Sequence, residues 1–113
     1  MAATSLEFAV YLVTDDGVLV IDTRQRPRGG QDLLDRIRKI TNRSIHWVIN
    51  THFHGDHTFG NSAFKNEGAI FVAHKETARL MKLVQPKELA RRMGYFKSNN
   101  YDQNEVKLIP PDP

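Results

Sequence analysis

Val18-Leu19-Val20-Ile21 is a continuous apolar run, the pattern of a strand buried on both faces. Ile45 to Asn50 is a second strand of the same buried type. Between them, Gln31 to Thr41 carries apolar residues at Leu33, Leu34, Ile37 and Ile40, which is helical spacing along one face. Asp32 and Asp35 stand near the start of that segment and Arg38 and Lys39 near its end, as the helix dipole favours. Strands that alternate with helices build an α/β layered domain with a mixed sheet.

The remaining elements follow from local chemistry. Phe8 to Val13 is rich in β-branched and aromatic residues and reads as a strand, joined to Val18–Ile21 by a hairpin turn at Asp15-Asp16-Gly17. A flexible loop with Pro27, Gly29 and Gly30 precedes the helix. A short helix is expected over Thr58 to Phe64, a strand over Ala69 to Ala73, and a helix over Lys75 to Val84. Pro86 breaks or restarts that helix, with a continuation to Phe96. The tail from Ser98 to Pro113 is polar and proline-rich, with one short strand candidate at Val106–Ile109. The order is β-β-α-β-α-β-α, without a solenoid repeat or a low-complexity tract.

A chain of 113 residues makes one domain at most, with a modest core. Its formal charge of +3 is too small an excess to argue for nucleic acid. The absence of cysteine excludes disulfides and a thiolate zinc knuckle. No apolar run approaches the length of a membrane span. The start, Met1 to Glu7, lacks a basic head and has Glu7 where a signal core is apolar. Secretion is therefore not encoded in this stretch, and a cytoplasmic setting is slightly favoured.

Directly after the second apolar run stand Thr51-His52-Phe53-His54-Gly55-Asp56-His57. Imidazole and carboxylate together suit zinc and its neighbours in the first transition row. One residue separates His52 from His54, so in an extended backbone both side chains point the same way and can grip one ion. Gly55 allows a sharp turn. Asp56 and His57 then point differently and are better placed for a second ion; two ions about 3.5–4 Å apart can share one bridging hydroxide. A lone histidine is more often packed or on the surface, so His46 and His74 are left out of the site.

The stretch from Ile45 to Asn61, I-H-W-V-I-N-T-H-F-H-G-D-H-T-F-G-N, resembles the metallo-β-lactamase-fold hydrolases, whose hallmark is T-H-x-H-x-D-H after a buried strand. The resemblance implies a four-layer αβ/βα sandwich of two similar halves. Residues 1–113 match its N-terminal half as a single partial domain. It implies a centre of up to two zinc ions, with His52 and His54 on the first metal and Asp56 and His57 on the second. Asp56 would also orient the attacking hydroxide. Asp22, at the end of the Val18–Ile21 strand, matches the aspartate that braces the metal loop, and Thr51 stands with it behind the ligands. Taken alone, Asp22 also reads as a helix or turn cap. Gly60-Asn61 matches the family wording too, whereas Arg24 stands where the family has glycine after its strand-end Asp-Thr. The family's third histidine, second aspartate and further histidine lie downstream of position 113.

The implied reaction is hydrolysis of a small-molecule ester, lactone, thioester or β-lactam by a metal-activated hydroxide. No protein nucleophile is required, which fits the lack of cysteine and of a serine elbow. His54 argues against the diiron flavoprotein branch, which commonly has glutamate there, and Thr58-Phe59-Gly60-Asn61 looks more like the small-molecule hydrolases than the RNA-processing branch. Two other readings remain: a mononuclear iron persulfide dioxygenase of the same fold, and a non-catalytic metal-binding half-domain. The basic stretch Arg24, Arg26, Arg28, Arg36, Arg38, Lys39 and Arg43 reads as a solvated face, and Leu80, Met81, Leu83 and Met93 read as core. The expected partner is a small-molecule substrate, without nucleic acid or membrane. The chain alone is expected to be inactive. A half-sandwich would leave a large apolar sheet face exposed, so a twofold homodimer, or complementation by the missing C-terminal half, is expected.

Overall fold

The computed structural model describes residues 2–6, 9–98 and 106–112. Five strands form one sheet in chain order: β1 (Ala2–Leu6), β2 (Ala9–Thr14), β3 (Gly17–Ile21), β4 (Ile45–Ile49) and β5 (Ile70–Val72). The first three are antiparallel, and β3–β4 and β4–β5 are parallel. The helices are α1 (Pro27–Arg38), α2 (Gly55–Thr58), a 3-10 helix (Asn61–Glu67) and α3 (Lys75–Ser98). The chain is therefore an α/β domain with a mixed sheet. Among the described residues no helix is long and apolar enough to cross a membrane.

Register divides the sheet residues into two faces. Tyr11, Val20, Val48 and Phe71 form one cross-strand row. That row is buried with Ala9, Val13, Val18 and Ile45 beneath Leu33, Leu34 and Ile37 of α1 and beneath Phe64. On the other face lie the rows Leu12–Leu19–Trp47–Ile70 and Val10–Ile21–Ile49–Val72. Their inner members are half-buried, while Ile70 and Val72 are 43% and 39% exposed. Only one face of β3 is thus fully covered, because α1 and Phe64 pack on the same side.

Several boundaries differ from the sequence reading. β1 falls on residues that carry no strand pattern, and backbone pairing to β2 makes it. Phe8, assigned above to the strand that became β2, lies outside the described residues. The loop at Pro27–Gly30 is instead the first turn of α1, with Pro27 leading it, where its missing N–H costs nothing. Gly30 pays its helix penalty for closeness: a Cβ there would overlap the Gly60 carbonyl. A Cβ on Gly60 would likewise overlap the Thr23 carbonyl. α1 ends at Arg38, so Ile40 is exposed rather than part of its core face.

α2 and the 3-10 helix replace the single helix expected over Thr58–Phe64. Pro86 does not break α3, which runs through it. The carbonyl that loses its partner is that of Lys82, an exposed residue, so water can satisfy it. Of the four α3 residues assigned to core, Met81 is buried but Leu83 is exposed. Val106–Ile109 is not a strand. Prolines 110 and 111 remove the donors a ladder needs, and it is Asp112 that reaches β5, donating its N–H to the Phe71 carbonyl at 2.7 Å. The basic stretch is partly structural: Arg38 pairs with Glu67 at 2.8 Å, and Arg43 donates to the Thr14 carbonyl at 2.7 Å.

A buried polar joint ties the carboxyl ends of β3 and β4 to the 3-10 helix. Asn50 and Asn61 exchange amide hydrogen bonds at 3.1 and 2.7 Å, and the Thr23 hydroxyl donates to Asn61 Oδ1 at 2.7 Å. The turn that follows β3 is strained, since Asp22 and Arg24 have φ of 61° and 73°. Aspartate tolerates that region, but arginine has only a long bond from its Nη1 to the Gly29 carbonyl, at 3.5 Å, to offset its Cβ. Arg24→Gly is therefore expected to raise the urea midpoint, by about 0.5–1 kcal/mol of stability after the entropy of the freer unfolded chain is counted. Arg24→Val is expected to lower it. A lower midpoint for Arg24→Gly would show that the Arg24 side chain outweighs its backbone strain.

Candidate metal centre

Because β3 and β4 are parallel neighbours, with Ile21 opposite Ile49, the residues that follow them emerge on one edge of the sheet, where α/β folds gather ligands. Asp22 follows β3 and the histidine loop follows β4. The Asp22 N–H donates to the Ile49 carbonyl at 2.8 Å, and its left-handed backbone turns the side chain beneath the loop. That buried carboxylate accepts from Thr51 N at 2.8 Å, from Thr51 Oγ1 at 2.6 Å and from His57 Nδ1 at 2.9 Å. It is not a helix cap: α1 is capped at Arg26 without a side-chain bond.

Proton placement follows from these partners. The Thr51 hydroxyl spends its hydrogen on Asp22, so towards His52 Nδ1, at 2.8 Å, it acts as acceptor. His52 then carries its proton on Nδ1 and keeps the Nε2 lone pair free. His57 donates its Nδ1–H to Asp22, which turns its Nε2 towards the Asp56 carboxylate, 3.7 Å away. Tying one imidazole nitrogen so that the other can ligate is how metal-binding histidines are oriented.

The ligand-type side chains converge. His52, His54 and Asp56 have ligand atoms within 4.8 Å of one another, and so do Asp22, His52 and His57. The His52 ring centroid lies 4.9 Å from that of His54 and 4.2 Å from that of His57. Asp56 Oδ2 is 3.7 Å from His57 Nε2. Asp56 thus stands between the His52–His54 pair and His57, and His52 belongs to both groups. This donor set of imidazoles and a carboxylate fits a zinc-type ion. The two histidines left out of the site are both exposed and have local roles. His46 stacks on Trp47 at 3.9 Å, and His74 Nδ1 accepts from the Glu76 N–H.

The loop also rests on α3, through residues that carried no signal in the sequence. Gln85 Nε2 donates to the Phe53 carbonyl and to Thr58 Oγ1, both at 2.6 Å, and Glu88 accepts from the Gly55 N–H. A cleft of about 510 Å³ opens beside the loop, lined by Phe53, His54, Asp56 and, from α3, Val84, Glu88, Arg91 and Arg92. A larger groove of about 770 Å³ near the start of α1 includes none of the loop histidines.

A family model of the metallo-β-lactamase superfamily matches residues 7–112. Over 92 residues the chain is 34% identical to the metallo-β-lactamase type 2 of Elizabethkingia meningoseptica, covering 81% of this chain and 35% of that protein. Over 55 residues it is 35% identical to a linear primary-alkylsulfatase of a Pseudomonas species, covering 49% of this chain and 10% of that protein. The metallo-β-lactamase FIM-1 of Pseudomonas aeruginosa, solved in its mono-zinc form, shares the fold with a TM-score of 0.60 at 19% identity, over 71% of this chain and 34% of that one. The chain thus spans about a third of the length of these two β-lactamases.

Burial holds the His52 pKa below its ordinary 6.5; the nearby His57 pushes the same way, while Asp22 opposes them. The neutral, ligating form therefore persists to lower pH. Since the unfolded chain takes up this proton first, the contribution of His52 to stability is complete above pH 6.5 and is lost as pH falls through its folded value. An NMR titration of the metal-free protein is expected to place the His52 midpoint below 6.5. A midpoint at or above that value would contradict the effect of its partial burial.

Proposed function

This chain belongs to the metallo-β-lactamase superfamily, and we propose that it supplies the metal-holding half of a zinc-dependent hydrolytic centre acting on a small-molecule ester, lactone, thioester or β-lactam. The observation that carries the reading is the joint orientation of His52 and His57 by Asp22 and Thr51, which holds each ring by its Nδ1 in a cluster with His54 and Asp56. The two curated relatives bear different activities in their names, so the likeness supports the chemistry of the centre rather than one substrate.

In this reading His52, His54 and Asp56 hold one ion, and His57 stands ready beside Asp56 for a second. Zinc there would supply Lewis acidity and bring the pKa of a bound water down to about 7. Asp56 has a further role, accepting a hydrogen bond from the attacking water and aiming it at the substrate. Asp22 and Thr51 do not touch substrate; they hold imidazole protons away from the ion. Substrate enters by the cleft that His54 and Asp56 line, with Phe53 and Val84 against its apolar part. Arg91 and Arg92 line the same cleft, and among the described residues neither has an ion-pair partner. The open sheet face belongs to the same reading: it is the surface through which this unit meets a second copy of itself.

Zinc calorimetry on the 113-residue chain tests the proposal. Binding is expected at one ion per chain, because both donor groups need His52, with micromolar or weaker affinity. Combining His52→Ala with His54→Ala should abolish it. Sedimentation velocity on the same samples should show a dimer. Hydrolysis by the chain alone should be slight, since productive geometry needs ions held to within about half an ångström. Absence of zinc binding, or retention of iron alone after native purification, would overturn the zinc reading. Strong EDTA-sensitive turnover lost in Asp56→Ala would overturn the half-centre reading.

A further inference from the structure

We propose that Gln85 and Glu88 of α3 are positioning residues for the metal centre, fixing the backbone of the histidine loop while Asp22 fixes its rings. The proposal rests on the metal-binding reading above only for its effect on zinc.

The two side chains are three residues apart and so share one face of α3. They are 2% and 7% exposed, deep burial for an amide and a carboxylate. Gln85 spends both hydrogens of its Nε2 on the loop, on the Phe53 carbonyl and on Thr58 Oγ1. Thr58 Oγ1 passes its own hydrogen to the His54 carbonyl at 3.2 Å. Glu88 Oε1 takes the Gly55 N–H. Together these contacts reach Phe53, His54, Gly55 and Thr58, and therefore bracket His54, Asp56 and His57.

The loop needs these partners. α2 has four residues, too few to hold itself together. The N–H of its first residue, Gly55, has no partner within so short a helix, and the buried Gly55 cannot rely on water. Glu88 supplies the missing acceptor as a carboxylate, giving a charge-assisted bond. The fit is close: a Cβ at Gly55 would overlap both the Phe59 ring and the Glu88 carboxylate. Gly55 is thus small because α3 presses its carboxylate against the backbone there, a reason separate from any turn. Pro86 lies between the two clamping residues without ending the helix, so both reach the loop from one rigid element.

The experiment compares wild type, Glu88→Ala, Glu88→Gln and Gln85→Leu in two measurements. In the metal-free protein, hydrogen exchange and amide shifts report the loop backbone. The Gly55 amide should be protected in wild type and in Glu88→Gln, whose amide oxygen still accepts, and unprotected in Glu88→Ala. Gln85→Leu should disturb residues 53–58 and leave β3 and β4 unchanged. In zinc calorimetry, Glu88→Ala and Gln85→Leu should bind about 10–100-fold more weakly, the usual loss when a group supporting metal ligands is removed. Glu88→Gln should stay within about threefold of wild type by the same reasoning.

Unchanged zinc affinity in folded Glu88→Ala or Gln85→Leu would overturn the proposal, as would a Gly55 amide unprotected in wild type. If Glu88→Ala fails to fold, Glu88→Gln decides: a tenfold loss of affinity with Gly55 still protected would assign the effect to charge and not to positioning. If wild type binds no zinc, the functional reading falls, while the exchange arm still decides whether α3 holds the loop.

Discussion

The carboxylate of Asp22 receives three hydrogen bonds, two from Thr51 and one from His57. These donors come from both ends of the histidine loop, so one group closes it like a clasp. An ionised carboxylate is expensive to bury alone, and donors of this number offset that cost. The price of the geometry is backbone strain: Asp22 and then Arg24 take the left-handed region so that the carboxylate turns under the loop. That strain is held in place by the parallel pairing of β3 with β4 and by the buried Thr23–Asn61–Asn50 joint. Arrangement of the candidate ligands is thus a consequence of the sheet edge and not of the loop sequence alone.

Much of this was legible in the sequence because it depends on local pattern. The apolar runs at Val18–Ile21 and Ile45–Ile49 are β3 and β4. Leu33, Leu34 and Ile37 are the buried stripe of α1. Asp22 stands out at a strand end, and the ligand-type residues of the loop identify themselves by spacing. Arg24 was visible as a departure from the family pattern, and its positive φ gives that departure a physical meaning.

The rest depended on contacts distant in the chain. Pairing with β2 makes β1 a strand although Ala2-Ala3-Thr4-Ser5 has no alternation to announce it. Pro27-Arg28-Gly29-Gly30 has the composition of a loop, yet close approach to Gly60 makes glycine the residue that a helix needs there. Gln85 and Glu88 lie about thirty residues from the loop they hold, in a helix whose proline suggested a break. Nothing local marks them. The apolar runs of β3 and β4 suggested burial on both faces, and one face is only half-buried.

The central claim is that Asp22 sets the protonation of two rings before any ion arrives, and nitrogen NMR of the metal-free protein observes it directly. Long-range correlations between ring protons and nitrogens distinguish the two neutral tautomers of each histidine. At a pH where the rings are neutral, His52 and His57 are expected to carry their protons on Nδ1, with Nε2 bare. Asp22→Asn should abolish that preference at His57 if the variant remains folded. A wild-type protein in which either ring holds its proton on Nε2 would contradict the account.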